Sequence, residues 1–312
     1  MSNASRWTTA EIPDESGRTT VITGANAGIG LEAAKVLAAC GATVVLACRD
    51  LDKGERAADA IRAEAEGAKV SVVRLDLASL ASVHEAAEEI RTTSPRIDLL
   101  INNAGVMQVV PYQRTEDGFE LTLATNHLGH FALTGLLLDR LLAAPGSRIV
   151  TVSSIAHKRG VIRFEDLQSE ESYNASAAYE QSKLANLLFT YELNDRLQPA
   201  GTDTIALAAH PGNARTSLWK SSSRLENAVI SRRLHLLNFW LVQSAERGAL
   251  PTLRAAVDPS ARGGEYYGPG GVFEFTGDPE RVESSPRSHD LAARRRLWEV
   301  SEEVTGVSYA IP

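Results

Sequence analysis

Thr19-Thr20-Val21-Ile22-Thr23-Gly24-Ala25-Asn26-Ala27-Gly28-Ile29-Gly30 decides the fold. Thr19–Thr23 is β-branched throughout and reads as a buried strand. A glycine-rich turn follows at once and opens a helix from Ile29 to Cys40, stopped by Gly41. Glycine at 24, 28 and 30 permits a tight turn and close backbone approach to a pyrophosphate, which the free N–H groups and positive end of the helix favour. The spacing is G-x3-G-x-G rather than G-x-G-x-x-G, so a plain turn between strand and helix is the competing reading.

Outward from that stretch, the alternation continues. Strands are expected at Ala42–Cys48, Lys69–Leu75, Ile97–Ile101, Ser147–Val152 and Thr204–Ala208. Helices are expected at Leu51–Glu66, from Ser79 as cap to Thr92, from Asp117 to about Ala143, and at Ala175–Gln198. Apolar strands alternating with helices predict an α/β fold, a doubly wound parallel sheet of Rossmann type. No linker interrupts the alternation, so residues 17–312 form one domain behind an N-terminal arm, 1–16. Two connections are long, Ala156–Asn174 and Pro211–Leu241. Both follow carboxyl ends of strands, where such sheets bind ligands, so the segment of about 211–242 reads as a substrate-loop insertion or lid. The apolar run Leu234–Leu241, with Phe239 and Trp240, suits either a hydrophobic substrate or packing on the sheet or another subunit.

Composition excludes several classes. The net charge of −7 leaves no basic surplus for nucleic acid. Two cysteines, Cys40 and Cys48, make neither a disulfide framework nor a cysteine-rich metal site, and a reducing, cytoplasmic location fits. His127 and His130 lack partners at metal spacing, and no metal is expected. No serine sits in a G-x-S-x-G elbow. No signal peptide, membrane anchor or membrane-spanning run is read. A homo-oligomer is compatible with this composition.

Several residues carry the chemistry. Strand two ends at Cys48-Arg49-Asp50. The Arg49 guanidinium matches a ribose 2′-phosphate, which favours NADP(H); alternatively Asp50 accepts from an unphosphorylated ribose, or caps the next helix. Asp76-Leu77 ends strand three, where Asp76 either accepts from an adenine amino group or caps a helix. Asn102-Asn103-Ala104-Gly105 ends strand four and either lines the cofactor cleft or makes a turn. Tyr179 and Lys183, four apart, share one helical face. An ammonium beside a phenol favours phenolate, and a shift from ~10 to ~7 requires roughly 4 kcal/mol. Such a tyrosine suits proton transfer at an alcohol/carbonyl pair. Ser153-Ser154 ends strand five beside that helix. Asn126 stands among apolar residues, as a buried hydrogen-bonding group or as a bend in its helix.

Together these residues resemble the short-chain dehydrogenase/reductase family. T-G-x3-G-x-G at Thr23–Gly30, N-N-A-G at Asn102–Gly105, the strand-five serine and Y-x3-K at Tyr179–Lys183 match in order. The resemblance implies an NAD(P)-dependent oxidoreductase exchanging hydride between nicotinamide C4 and a small carbonyl or alcohol substrate. It implies that Asn126 holds a water beside the lysine, that Ser154 (or Ser153) orients the carbonyl, and that Tyr179 is the acid/base. Lys183 would bind the nicotinamide ribose and lower the tyrosine pKa. Gly24, Asn26, Gly28, Ile29, Gly30, Arg49, Asp76, Leu77, Asn103, Ala104 and Gly105 would line the cofactor site. Pro211, Gly212 and Thr216, with Tyr179 and Lys183, would complete it beside the nicotinamide. The segments A-C-R-D, N-H-L-G-H-F, V-S-S-I-A-H and S-K-L-A-N, with 24 residues between Ser154 and Tyr179, are most similar to the retinol dehydrogenase and WW-domain oxidoreductase branch. That branch typically prefers NADP. The tail Gly263–Pro269 resembles soluble bacterial members. The competing functions are an NAD-dependent alcohol dehydrogenase of the same fold and a non-catalytic dinucleotide-binding regulator.

Overall fold

Thr19–Thr23 forms the strand β1 at the middle of the sheet. The computed structural model describes residues 6–214 and 242–312. In chain order the first half is β1, α1 (Gly28–Ala39), β2 (Thr43–Cys48), α2 (Leu51–Glu64), β3 (Lys69–Arg74), α3 (Leu80–Thr93) and β4 (Leu99–Asn102). Then come α4 (Leu121–Leu123), α5 (Gly129–Leu136), α6 (Leu138–Leu142), β5 (Arg148–Val152), α7 (Ala175–Leu197) and β6 (Ile205–Ala209). The chain closes with α8 (Ala245–Val257), β7 (Tyr266–Pro269), β8 (Pro279–Arg281) and α9 (Leu291–Thr305).

The strand order is β3-β2-β1-β4-β5-β6-β7-β8. All neighbours pair parallel except β7 with β8, which is antiparallel. The reversal of order between β1 and β4 is the switch point where doubly wound sheets open a crevice. Alternate residues of each strand feed opposite cores. Ile22, Leu46 and Ile101 pack under α1, α2 and α8, with Ala33, Leu37, Ile61 and Leu253. Val21, Val45 and Leu100 pack under α3, α5 and α7, with Ile90, Phe131 and Phe189. Both faces are therefore dry at the centre of the sheet, while the edge strand β3 keeps exposed residues.

The structure extends two expectations and corrects a third. The N-terminal arm lies on the domain: Trp7 is buried in the first core, and buried Glu15 pairs with Arg18. The sheet continues beyond β6 through β7 and β8. The helical stretch read from Asp117 starts only at Leu121, where both carboxylate oxygens of buried Glu120 accept from Thr122 and Leu123 N–H at 2.8 and 2.7 Å. It is also not one α-helix. Ala124–Leu128 is a π turn, in which Gly129 N–H reaches back to the Ala124 carbonyl.

Just beyond that π turn, His130 meets the end of β1. His130 Nδ1 donates to the Asn126 carbonyl at 3.1 Å, and Nε2 accepts from the Thr23 hydroxyl at 2.8 Å. Thr23 Oγ1 in turn accepts from Asn103 and Ala104 N–H, both at 2.9 Å. Asn103 Nδ2 donates to the Thr23 carbonyl at 2.8 Å, so the N-N-A-G turn pins β4 to β1. Burial holds His130 down at about 4 and neighbouring His127 at about 3. The unfolded chain takes up protons first, so their contribution is complete above pH 6.5 and is lost as pH falls towards 4. Each titrating imidazole steepens the loss by about 1.4 kcal/mol per pH unit. Thermal melts should therefore show the melting temperature falling steeply between pH 6.5 and 4. A flat profile over that window would contradict buried neutral histidines.

Candidate active site

The crevice at the carboxyl ends of β1, β4 and β5 contains a cavity of about 300 Å³. Its floor is the glycine-rich turn. Gly24 and Gly28 have φ of +66° and +59°, a backbone region that side chains disfavour. A Cβ on Gly30 would stand 2.5 Å from Asn103 Nδ2 and 2.8 Å from the Gly24 carbonyl, so only hydrogen fits there. Asn26, Ile29, Asn103, Ala104 and Gly105 complete the walls, with Arg49 at one end and Tyr179, Lys183 and Pro211 at the other. The cradle's shape and its free helix N-terminus fit a dinucleotide.

At the far end, Asp50 and Asp76 bond within the protein. Asp50 is the N-cap of α2, accepting from Lys53 N–H at 3.0 Å, and it pairs with Lys53 Nζ at 2.6 Å. It is thus engaged away from the cleft, whereas exposed Arg49 faces it. Asp76 and Leu77 stand apart from the lining. Asp76 Oδ1 accepts from Ala78 N–H at 3.0 Å, and Leu77 is buried in the core beside α3 and α5. Thr216 lies outside the described residues, as does the apolar run Leu234–Leu241.

At the near end, a second hollow adjoins the first. The two share Ile29, Tyr179 and Pro211. Ser154, Ala156, Met107, Gly212 and Ala214 line the second hollow, with the Arg159–Glu180 ion pair (2.7 Å) and the Gln108–Ser176 hydrogen bond (3.0 Å). Of the long connection after β5, Ala156 and Arg159 thus reach the site. Among these, Gln108, Ser176 and Glu180 carried no signal in sequence, because their neighbours come from distant segments.

Ser153 and Ser154 part company. Ser153 is buried and its hydroxyl donates to the Lys183 carbonyl at 2.7 Å. Ser154 faces the second hollow, and its Oγ accepts from Ala156 N–H at 3.2 Å, leaving its proton to give. Tyr179 is half-buried at the junction. Burial pushes its pKa up and the Ser154 hydroxyl pulls it down. Lys183 Nζ stands 5.7 Å from the Tyr179 ring centre and donates to the Val152 carbonyl at 3.1 Å. Burial pushes Lys183 down to about 8. The protein alone thus holds the phenol high rather than at the lowered value that the sequence suggests.

Both polar atoms of the Asn126 side chain bond within the protein. Its Oδ1 accepts from Val106 N–H at 2.7 Å, and its Nδ2 donates to the Val106 carbonyl and the Ser182 hydroxyl, both at 2.9 Å. Ser182 passes the contact on to the Tyr179 carbonyl at 2.8 Å. A Cβ on Gly105 would lie 3.1 Å from Asn126 Oδ1 and 3.5 Å from Lys183 Nζ, so the two groups converge above that glycine. Among the described residues, no cluster could hold a metal ion.

This geometry agrees with the comparisons. The family model for short chain dehydrogenase matches residues 18–227, and the chain belongs to that family. Its relatives place it in the retinol dehydrogenase-like branch. Human retinol dehydrogenase 12 is 43% identical over 304 residues, covering 97% of this chain and 90% of that protein. Mouse retinol dehydrogenase 14 is 42% identical, covering 93% and 86%. A solved structure from Mycobacterium paratuberculosis is 43% identical and covers 99% of this chain and all of that one, with a TM-score of 0.80. A Beutenbergia cavernae structure, described as an NAD(P)-dependent gluconate 5-dehydrogenase with bound NADP, is 27% identical, with a TM-score of 0.62. It covers 80% of this chain and 94% of that one. The protein is thus an oxidoreductase of CH–OH and C=O groups using NAD(P)(H). No described helix is long and apolar enough to cross a membrane.

Proposed function

We propose that this protein interconverts an aldehyde or ketone and its alcohol with NADP(H) as cofactor and Tyr179 as acid/base. The observation that carries this reading is the place of Tyr179, on the wall shared by the two hollows, beside Ser154 and Lys183. The glycine-rich turn, Asn26, Ile29, Asn103, Ala104 and Gly105 would hold the dinucleotide, with Arg49 on its 2′-phosphate. Lys183, Pro211, Gly212 and Thr216 would hold its nicotinamide end. When bound, the cofactor supplies hydride exchange at nicotinamide C4. Ser154 donates to the substrate oxygen and orients it. Tyr179 gives that oxygen its proton in reduction and takes it in oxidation. Lys183 favours the phenolate, and Tyr179 draws further on the positive charge of an oxidised nicotinamide to offset its burial. A water above Gly105, between Asn126 and Lys183, would connect the proton to solvent. Retinol dehydrogenases among the relatives make a hydrophobic carbonyl or alcohol, retinoids included, the substrate class to test first.

The cradle gives its own test. Gly30→Ala forces a Cβ against Asn103 Nδ2 and the Gly24 carbonyl. Overpacking of this kind costs about 1–3 kcal/mol, so NADPH affinity should fall roughly tenfold or more. Fluorescence titration measures it, and wild-type affinity in the variant would remove the glycine turn from the binding site.

A further inference from the structure

His157 is wholly buried three residues beyond Ser154, and the mechanism above leaves it without a role. Its Nδ1 lies 2.6 Å from the Ser154 carbonyl, which also accepts from His157 N–H at 3.0 Å. On the other side, His157 Nε2 accepts from Ser285 N–H at 3.0 Å. A backbone N–H can only donate, so Nε2 carries no proton and the proton sits on Nδ1. One tautomer is therefore fixed, with Nδ1–H donating to Ser154. The ring meets Tyr266 of β7 edge-on, centroids 5.5 Å apart at 87°. Burial holds the imidazole at about 4, so it stays neutral near pH 7.

We propose that His157 is a positioning residue: it clamps the Ser154 peptide so that the Ser154 hydroxyl stays aimed at the substrate oxygen. The inference rests on the reading of Ser154 as the carbonyl-orienting group. Ser154 has extended backbone angles, φ −157° and ψ 157°, at the point where β5 gives way to a 3-10 turn. A single backbone bond leaves its peptide plane free to rock. Two donors on one carbonyl oxygen fix that plane. Ser285 comes from the segment leading into α9, so the alignment of the site depends on the C-terminal part of the chain. No other side chain supplies a rigid donor and acceptor at this separation while remaining uncharged.

Four variants test the proposal, assayed with NADPH and the aldehyde turned over fastest by the wild type among retinal, straight-chain and aromatic aldehydes. Ser154→Ala removes the orienting hydroxyl, and kcat should fall about a hundredfold. His157→Gln can still accept from Ser285 but cannot reach Ser154, and kcat should fall roughly tenfold to a hundredfold, the effect of a small misalignment. His157→Asn keeps a donor near Nδ1 and should recover most of that loss. Ser285→Pro removes the N–H that locks the tautomer, along with a hydroxyl that makes no hydrogen bond, at a residue whose φ of −64° already suits proline, and should lower kcat as well. NADPH affinity by fluorescence titration should be unchanged in all four. A merely structural histidine would give equal losses in the glutamine and asparagine variants, with NADPH affinity falling alongside. That result, or wild-type kcat in His157→Gln while Ser154→Ala is impaired, overturns this inference alone. Wild-type kcat in Ser154→Ala, or no turnover of any aldehyde, overturns the reading beneath it.

Discussion

Tyr179→Phe should lower turnover by about 10²–10⁴-fold, the contribution of a positioned general acid/base, and leave NADPH binding almost intact. The two effects separate because different atoms serve them. The contact from Ser182 ends on the Tyr179 backbone carbonyl, which phenylalanine retains. Lys183 is held by the Val152 carbonyl, independently of the phenol. The variant should therefore keep its fold and its cofactor while losing the proton donor. Steady-state turnover beside NADPH fluorescence titration reads both. Equal turnover in variant and wild type would end the acid/base assignment.

Arg49→Ala should remove the preference for NADPH over NADH by weakening NADPH alone. Hydrogen bonds to charged groups contribute about 1.5–3 kcal/mol, tenfold to a hundredfold in affinity. Arg49 is exposed, and screening by solvent and salt places the loss towards the lower end. NADH affinity should stay constant, since Asp50 remains on Lys53 and on the helix cap. The NADPH advantage of the wild type should also shrink as salt rises. Side-by-side titration checks this. Tighter NADH than NADPH binding in the wild type would move the ribose contact away from Arg49 and favour the alcohol dehydrogenase alternative.

Much of the fold lay open in the sequence because β1 to β6 are β-branched or apolar-rich runs alternating with helical patterns. Each begins or ends within two residues of its expected place. Strand β7 was hidden because Tyr266-Tyr267-Gly268-Pro269 is short and ends in glycine and proline. Strand β8 was hidden because Pro279-Glu280-Arg281 is a charged edge with no apolar alternation. The π turn at Ala124–Leu128 is invisible to a period of 3.6, since all but one of its residues are buried like their helical neighbours. Its consequence for Asn126 depends on Val106 and Ser182, which only the fold brings close. Spacing put Tyr179 and Lys183 together, yet could not weigh burial, which raises the phenol and lowers the ammonium. The different surroundings of Ser153 and Ser154 likewise needed the structure: Ser153 bonds into α7 at the edge of the first cavity, and Ser154 faces the second hollow.

The most direct measurement follows an atom. Purified protein is incubated with NADPH carrying deuterium at both C4 positions and with the same aldehyde panel, and the alcohols are analysed by mass spectrometry. The account predicts one deuterium on the carbinol carbon of at least one product, formed at least about a hundredfold more slowly by Tyr179→Phe. Bound NADPH with no labelled alcohol from any aldehyde, or equal labelling by the variant, would contradict it.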